Sequence, residues 1–236
     1  MTSRQATTDN SVSSVRFLAA GTQSVQAHYN FTAITDATGE LVQGGQLLIV
    51  NTNDASAVLV DGTLTVQGTI NDEVLAVSRL GHTMRVHRGF EQLGVFDARD
   101  VDILRIDASA GSDVVFVWPT VHADGLIRGG LGNDALFGGG RRNILLGGGG
   151  SDLVVGGSTN DVLIGGELTD AAALDAAFAS WIGGGSYANR TAAVSAALSG
   201  KIADSAVDVL LGLGGLDMFF VSAGDLTDRL PPEVQI

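Results

Sequence analysis

The chain has 236 residues, 45% of them hydrophobic, with 33 glycines, three prolines, no cysteine and a formal net charge of −13. That length holds one large domain or two small ones, and the composition excludes a disordered Pro/Gly linker, a collagen helix, a disulfide framework and any thiolate chemistry. The acidity repels nucleic acid and anionic membrane surfaces and leaves cations as the natural small partners.

Residues 1–14 are polar and are expected to form a flexible N-terminus; Met1 to Gln26 lacks the pattern of a cleaved secretory signal. Residues 15–128 carry short apolar runs, among them Val15–Leu18, His28–Ile34, Leu64–Val66, Val74–Val77, Ile103–Ile106 and Val114–Val117. Many alternate with period two and are rich in β-branched residues, which marks strands. Their spacing fits a sandwich or the coils of a parallel β-helix. Repetition favours coils, since "GTINDEVLAV" (Gly68–Val77) and "SAGSDVVFV" (Ser109–Val117) both read as turn, acidic residue, strand.

Residues 129–170 are dominated by glycine, and residues 171–200 change character. There Leu174, Phe178, Trp181 and Ile182 fall on one helical face. Thr169 or Asp170 can cap its start, and Gly183–Gly185 ends it. A second helix over Tyr187–Leu198 completes a helical hairpin inserted between repeats. Residues 201–236 hold a final repeat, Gly212–Phe220, and a polar C-terminal cap. No apolar run approaches the roughly 18 residues of a membrane span.

The glycine-rich block divides into nines. Gly129–Phe137 is GGLGNDALF, Gly138–Leu146 is GGGRRNILL, Gly147–Val155 is GGGGSDLVV and Gly156–Ile164 is GGSTNDVLI; GGELTD then runs to Asp170. Positions 7 to 9 make a strand too short to stand alone, so it must stack in parallel on equivalent strands. Position 8 (Leu136, Leu145, Val154, Leu163) then points inward, and positions 7 and 9 point out. On the second face the outward set is Ile144, Leu146, Val162 and Ile164, an apolar patch that the helical stripe is expected to cover. Position 6 presents a stacked column of Asp or Asn at the turns. Stacked carboxylates repel one another unless a cation lies between them. Oxygen ligands without His or Cys point to calcium rather than a transition metal.

These units resemble the calcium-binding nonapeptide GGxGxDxUx of the RTX (repeats-in-toxin) haemolysin-type proteins. The resemblance implies an all-β fold, a parallel β-helix or β-roll solenoid in which two nonapeptides make one coil. It also implies Ca2+ between turns on one edge, with carboxylates eighteen residues apart. One edge then carries Asp134, Asp152 and Asp170, completed by the carbonyls of Gly130, Gly132, Gly148 and Gly150. The other carries Asn143 and Asp161, with Arg141 and Arg142 where turn residues belong, able to stand in for a cation. Asp170 is equally readable as a helix cap, and Asp113 and Asp217 read as ordinary turn aspartates. The family implies an exported or cell-surface protein that leaves without an N-terminal signal peptide.

Nothing else in the sequence carries a stronger chemical signature. His28, His82, His87 and His122 do not fall at ligand spacing, and no H-E-x-x-H, G-x-S-x-G or P-loop occurs. The expected function is therefore calcium binding by a non-enzymatic exported or surface-associated segment, with other chains or surface glycans as candidate partners. The alternative is a carbohydrate-active enzyme on a β-helix scaffold, for which Asp97, Arg99, Asp100, Asp102 and Arg105 are the nearest cluster. A structural module with incidental calcium is the third reading.

Overall fold

The computed structural model describes residues 55–236 other than Thr169, together with the backbone of the strands Ala6–Thr7, Tyr29–Thr35 and Leu41–Leu47. The chain divides into two compact units, Met1–Asp54 and Ala55–Ile236. In the first, the three strands form an antiparallel sheet with Tyr29–Thr35 in the middle. The expected flexible N-terminus, apart from Ala6–Thr7, and the apolar runs Val15–Leu18 and His28 lie outside the described residues.

The second unit consists mainly of strands with two short helices, in open sheets with no closed barrel among the described residues. From Glu91–Asp97 onward, apart from the short pair Glu167–Leu168 and Ile202–Ala203, successive strands alternate between two eight-stranded sheets. The first runs, in spatial order, Leu226–Thr227, Val209–Leu213, Leu153–Gly157, Ala135–Phe137, Val114–Val117, Val74–Leu80, Thr83–Arg88 and Glu91–Asp97. The second runs Val234–Gln235, Met218–Phe220, Val162–Ile164, Asn143–Gly149, Asp124–Leu131, Ile103–Asp107, Thr63–Gln67 and Ser56–Val60. Pairing is parallel from Val74–Leu80 and Thr63–Gln67 onward to the C-terminus. Leu136 pairs with Val154 and Leu145 with Leu163, which is the eighteen-residue step of two nonapeptides per coil.

The start of the second unit departs from the parallel coils expected there. Ser56–Val60 and Thr63–Gln67 form an antiparallel hairpin, and Val74–Leu80, Thr83–Arg88 and Glu91–Asp97 form an antiparallel meander. The cause is local. Asp61 and Gly62 at the first turn have φ of 46° and 76°, and Gly81 and Gly89 at the next two have 61° and 53°. A left-handed pair, or a left-handed glycine at the first turn position, reverses a strand in two residues and matches its twist.

The core lies between the sheets. Leu136, Leu145, Val154 and Leu163 are fully buried there with Val115, Ile127, Leu210 and Phe219. Position 8 of each nonapeptide thus points inward. The outer face of the second sheet is covered by a helical hairpin, α1 (Ala171–Ile182) and α2 (Tyr187–Leu198). Ile144, Leu146, Val162 and Ile164 form one buried cluster with Leu174, Phe178 and Trp181 of α1 and Val194 and Leu198 of α2. Burying side chains of this size stabilises by about 1.5–3 kcal/mol each.

Polar anchors fix how the hairpin sits. Arg105 pairs with Asp175 at 2.7 Å and lies over the ring of Phe178. The Arg142 guanidinium donates to the carbonyls of Trp181, Ile182 and Gly183 at 3.0, 2.6 and 3.1 Å. These are carbonyls that α1 leaves unpaired at its C-terminus, where a cation is also favoured by the helix dipole. At the other end Asp170 caps α1 by accepting from the backbone N–H of Ala173 at 3.0 Å.

Candidate metal centre

The short strands begin at tight turns, so the residue just before each strand recurs at the same edge. On one edge these residues are Glu73, Asp113, Asp134, Asp152, Asp208 and Asp225. A backbone ladder ties them together. The N–H of Glu73 donates to Oδ1 of Asp113, that of Asp113 to Asp134, and that of Asp134 to Asp152, each at 2.8 Å. The N–H of Asp152 donates to Oδ1 of Asp208 at 2.7 Å, and that of Asp208 to Asp225 at 3.0 Å. The opposite edge repeats this with Asn143, Asp161 and Asp217, whose links are both 2.7 Å.

Each aspartate therefore spends one oxygen on the ladder. The other oxygen, Oδ2, is buried and has no hydrogen-bond partner in Asp113, Asp134, Asp152, Asp161, Asp208 and Asp217. These six side chains are nearly or wholly inaccessible, with Asp161, Asp208 and Asp217 at 0% exposure. An orphaned buried carboxylate oxygen is costly, and six in two files demand a compensating charge. Burial pushes the carboxyls of Asp113, Asp152 and Asp217 up to about 7, and that of Asp208 to about 6. The same cause raises Asp134, and raises Asp161 well above the ordinary carboxylate range. The protein itself offers these oxygens no cation: none of the six carboxylates takes part in an ion pair among the described residues.

The glycines explain how the oxygens fit. A Cβ at position 1 of the repeat would collide with Oδ2 of the aspartate five residues on, as Gly129 does with Asp134, Gly147 with Asp152 and Gly156 with Asp161. Positions 2 and 4 need glycine for a different reason. Gly130, Gly132, Gly148 and Gly150 have φ of 117°, 124°, 115° and 118°. Their turns stack so closely that a Cβ at Gly148 or Gly150 would strike the carbonyl oxygen of Gly130 or Gly132 in the coil before. Ser109 and Gly111 continue the same turn shape one coil earlier, at 82° and 120°.

The two edges are not equivalent. In the turns before Asn143 and Asp161, the residues at positions 2 and 4 (Gly139 and Arg141, Gly157 and Thr159) are not left-handed. Arg141 does not reach the column: its Nε lies 3.3 Å from Asp124. Arg142 serves the end of α1 and also lies 3.9 Å from Asp124. Neither arginine pairs with Asp161 or Asp217. Asn143 shares its Nδ2 proton with Asp161 Oδ1 at 2.9 Å.

Of the residues expected to bind metal, Asp134 and Asp152 share one column, and Asn143 and Asp161 the other. Asp170 is in neither. It caps α1, is half-buried, and pairs with Lys201 at 2.8 Å. Asp208 takes the place expected for it, because the chain leaves the coil at Gly166 and returns only after the hairpin. The ladder step from Asp152 to Asp208 is 56 residues where the step from Asp134 to Asp152 is 18. Gly165 is packed against Asp208 Oδ2 as Gly147 is against Asp152, so Asp208 takes the position-6 place of the interrupted coil. Asp113 and Asp217, read as ordinary turn aspartates, belong to the columns. Glu73 heads the first, accepting from the N–H of Thr69 at 2.8 Å. Reading backward nine residues from Gly212 puts Asp208 at position 6, a signal present in the sequence.

The cluster around Asp97 does not converge. Arg99 turns back onto Asp97 at the surface, and Arg105 points to Asp175. No helix of the described residues is long and apolar enough to cross a membrane.

Comparison with known families matches residues 128–163 and 137–170 to the RTX calcium-binding nonapeptide repeat, in four copies. No curated protein and no solved structure matches the chain. RTX nonapeptide repeats bind Ca2+, and oxygen-only donors with unpartnered buried carboxylates suit that hard ion. The matched segment coincides with the stacked glycine turns and the best-formed part of the carboxylate column, and the chain thus carries a block of RTX-type calcium-binding repeats.

Proposed function

We propose that this chain is a non-enzymatic calcium-binding segment of an exported or surface-associated protein, ordered as a parallel β-roll by the ions it binds. The observation that carries the reading is the file of buried aspartates, each with one oxygen in the ladder and one without a partner. In the absence of an ion these carboxylates oppose the fold; an ion between turns reverses the sign of their contribution.

The residues that would hold calcium on the first edge are Asp134 and Asp152, with the carbonyls of Gly130, Gly132, Gly148 and Gly150. Left-handed glycines at positions 2 and 4 support this choice, since they let the turns stack closely. Asp113 and Asp208 extend the file in either direction. On the second edge Asp161 and Asp217 form a carboxylate pair, with Asn143 above it. Its turns before Asn143 and Asp161 lack the left-handed pair, whereas the turn before Asp217 has it at Leu213 and Gly215; the first edge, with the pair in successive turns, is the stronger binder.

Residues 129–170 then form the calcium-dependent roll, 171–200 the hairpin that seals its second face, and 201–236 the final coil and cap. Weak affinity is enough outside a cell: extracellular calcium modules work at about 10⁻⁴ to 10⁻³ M. Surface glycans or other chains are the partners that such a segment would present itself to. Far-UV circular dichroism and thermal melting with and without millimolar calcium, against a magnesium control, test the proposal. A gain in strand signal and melting temperature specific to calcium supports it; identical curves in all three conditions refute it.

A further inference from the structure

The coil that the hairpin interrupts cannot rebuild the turn seen at Gly129–Asp134 and Gly147–Asp152. It supplies Gly165 and Gly166, leaves through Glu167–Leu168, and comes back through Ile202–Ala203, which pairs antiparallel with the departing strand. The return brings Asp204 beside Gly166, while Oδ2 of Asp208 lies against the neighbouring Gly165. One carboxylate oxygen from each of Asp204, Asp208 and Asp225 lies within 4.8 Å of the others.

We propose that Asp204, Asp208 and Asp225 form a calcium site at the neck of the helical insertion, outside the matched repeats. An acidic cluster alone would not support this. The independent observation is Asp208, which is fully buried and whose Oδ2 has no hydrogen-bond partner. Asp225 is held in place by the N–H of Asp208 at 3.0 Å and that of Ser222 at 2.6 Å. Asp204 accepts from the N–H of Ala206 at 3.0 Å through Oδ1 alone. No Lys or Arg pairs with any of the three among the described residues; the nearby Lys201 is taken by Asp170. Three carboxylates drawn together without a counter-charge repel strongly.

The donor set is oxygen only, which selects a hard divalent ion. Calcium suits it better than magnesium, since calcium accepts irregular and carboxylate-rich coordination. The site differs in composition from those of the repeats. There, stacked glycine turns offer carbonyls; here, Asp204, delivered by the returning chain, supplies a third carboxylate. Binding at this point closes the loop through which the hairpin leaves the coil, so occupancy fixes the docked hairpin to the calcium-bound roll.

For the identity of the ion, the inference rests on the calcium reading of the repeats. It is tested by counting bound calcium per chain, by equilibrium dialysis, in wild type, Asp204→Asn, Asp225→Asn and Asp134→Asn. Asp204 is only half-buried, and asparagine keeps its Oδ1 acceptor, so this variant should retain the fold, which circular dichroism checks. Asp204→Asn and Asp225→Asn should each bind one ion fewer than wild type, and Asp204→Asn/Asp134→Asn fewer than either single variant. A full count in Asp204→Asn alongside a loss in Asp134→Asn overturns this site and leaves the repeat sites standing. No calcium bound by wild type overturns both.

Discussion

The backbone N–H of Asp134 donates to Oδ1 of Asp152 at 2.8 Å, and the other oxygen of that carboxylate is buried without a partner. Asp152 in turn donates to Asp208, so it stands between two carboxylates of the same file. Asp152→Asn keeps an acceptor for Asp134 and removes one negative charge from the middle of the column. Its ion-free form should be at least as stable as wild type, and its calcium-induced gain in melting temperature should be reduced most among single Asp→Asn variants of the repeats. Differential scanning fluorimetry across a calcium series checks this; equal gains in wild type and variant would contradict the central position of Asp152.

Acidity should act on this column in a definite direction. Burial raises Asp113, Asp152 and Asp217 to about 7 and Asp208 to about 6, from an ordinary value of 3.8. A carboxyl raised in the folded state binds its proton more tightly there than in the unfolded chain. Its contribution is whole below about pH 4 and disappears as the pH climbs through 6 to 7. The ion-free protein should therefore melt at a higher temperature at pH 5 than at pH 8. Calcium needs the ionised form, so its stabilisation should grow over that same interval. Melting curves with a chelator and with saturating calcium, taken every half pH unit, test both slopes. An ion-free melting temperature that rises from pH 5 to pH 8 would refute the account of the buried carboxylates.

Gly147 has no Cβ because Asp152 Oδ2 and the Gly165 carbonyl occupy that space. Gly147→Ala should destabilise by about 1–3 kcal/mol through overpacking, and lower calcium affinity. Gly184, between the helices, has nothing within 4 Å of its Cβ position. Gly184→Ala should stay within about 0.5 kcal/mol of wild type. Urea unfolding of the two variants makes the comparison; equal effects would mean that the tight approach at Gly147 is not a constraint.

How much of this was legible in the sequence depends on whether a feature repeats. The nine-residue step placed Leu136, Leu145, Val154 and Leu163 in the core, and the helical stripe of Leu174, Phe178 and Trp181 matched the patch it covers. The eighteen-residue step paired Asp134 with Asp152. It failed at Asp170, because a step measured along the chain does not survive an insertion, whereas the coil in space does. Asp170 satisfies the cap of α1, a local demand that the sequence expressed equally well. The meander before residue 98 was misread for a related reason. Strand periodicity does not distinguish parallel from antiparallel neighbours; Asp61-Gly62, a favoured pair for a two-residue reversal, carried that information.

Arg142, at the unconstrained fifth position of the second repeat, ties that turn to the helical hairpin. Its guanidinium serves three carbonyls at the end of α1. Arg142→Ala should cost about 1.5–3 kcal/mol, as for hydrogen bonds from a charged group. Arg142→Lys should recover only part, since an ammonium lacks the planar fork. Denaturant unfolding measures both. A loss below about 0.5 kcal/mol in Arg142→Ala would show that these three hydrogen bonds do not hold the hairpin.

The position of bound calcium is the most direct test of the carboxylate column. Crystals grown in calcium, with anomalous differences collected for that ion, locate every bound site without a variant. The account predicts anomalous peaks along the first edge, beside the carboxylates of Asp134 and Asp152 and within reach of the carbonyls of Gly130, Gly132, Gly148 and Gly150. An ordered first edge with no peak, or peaks confined to exposed surface carboxylates, would contradict it.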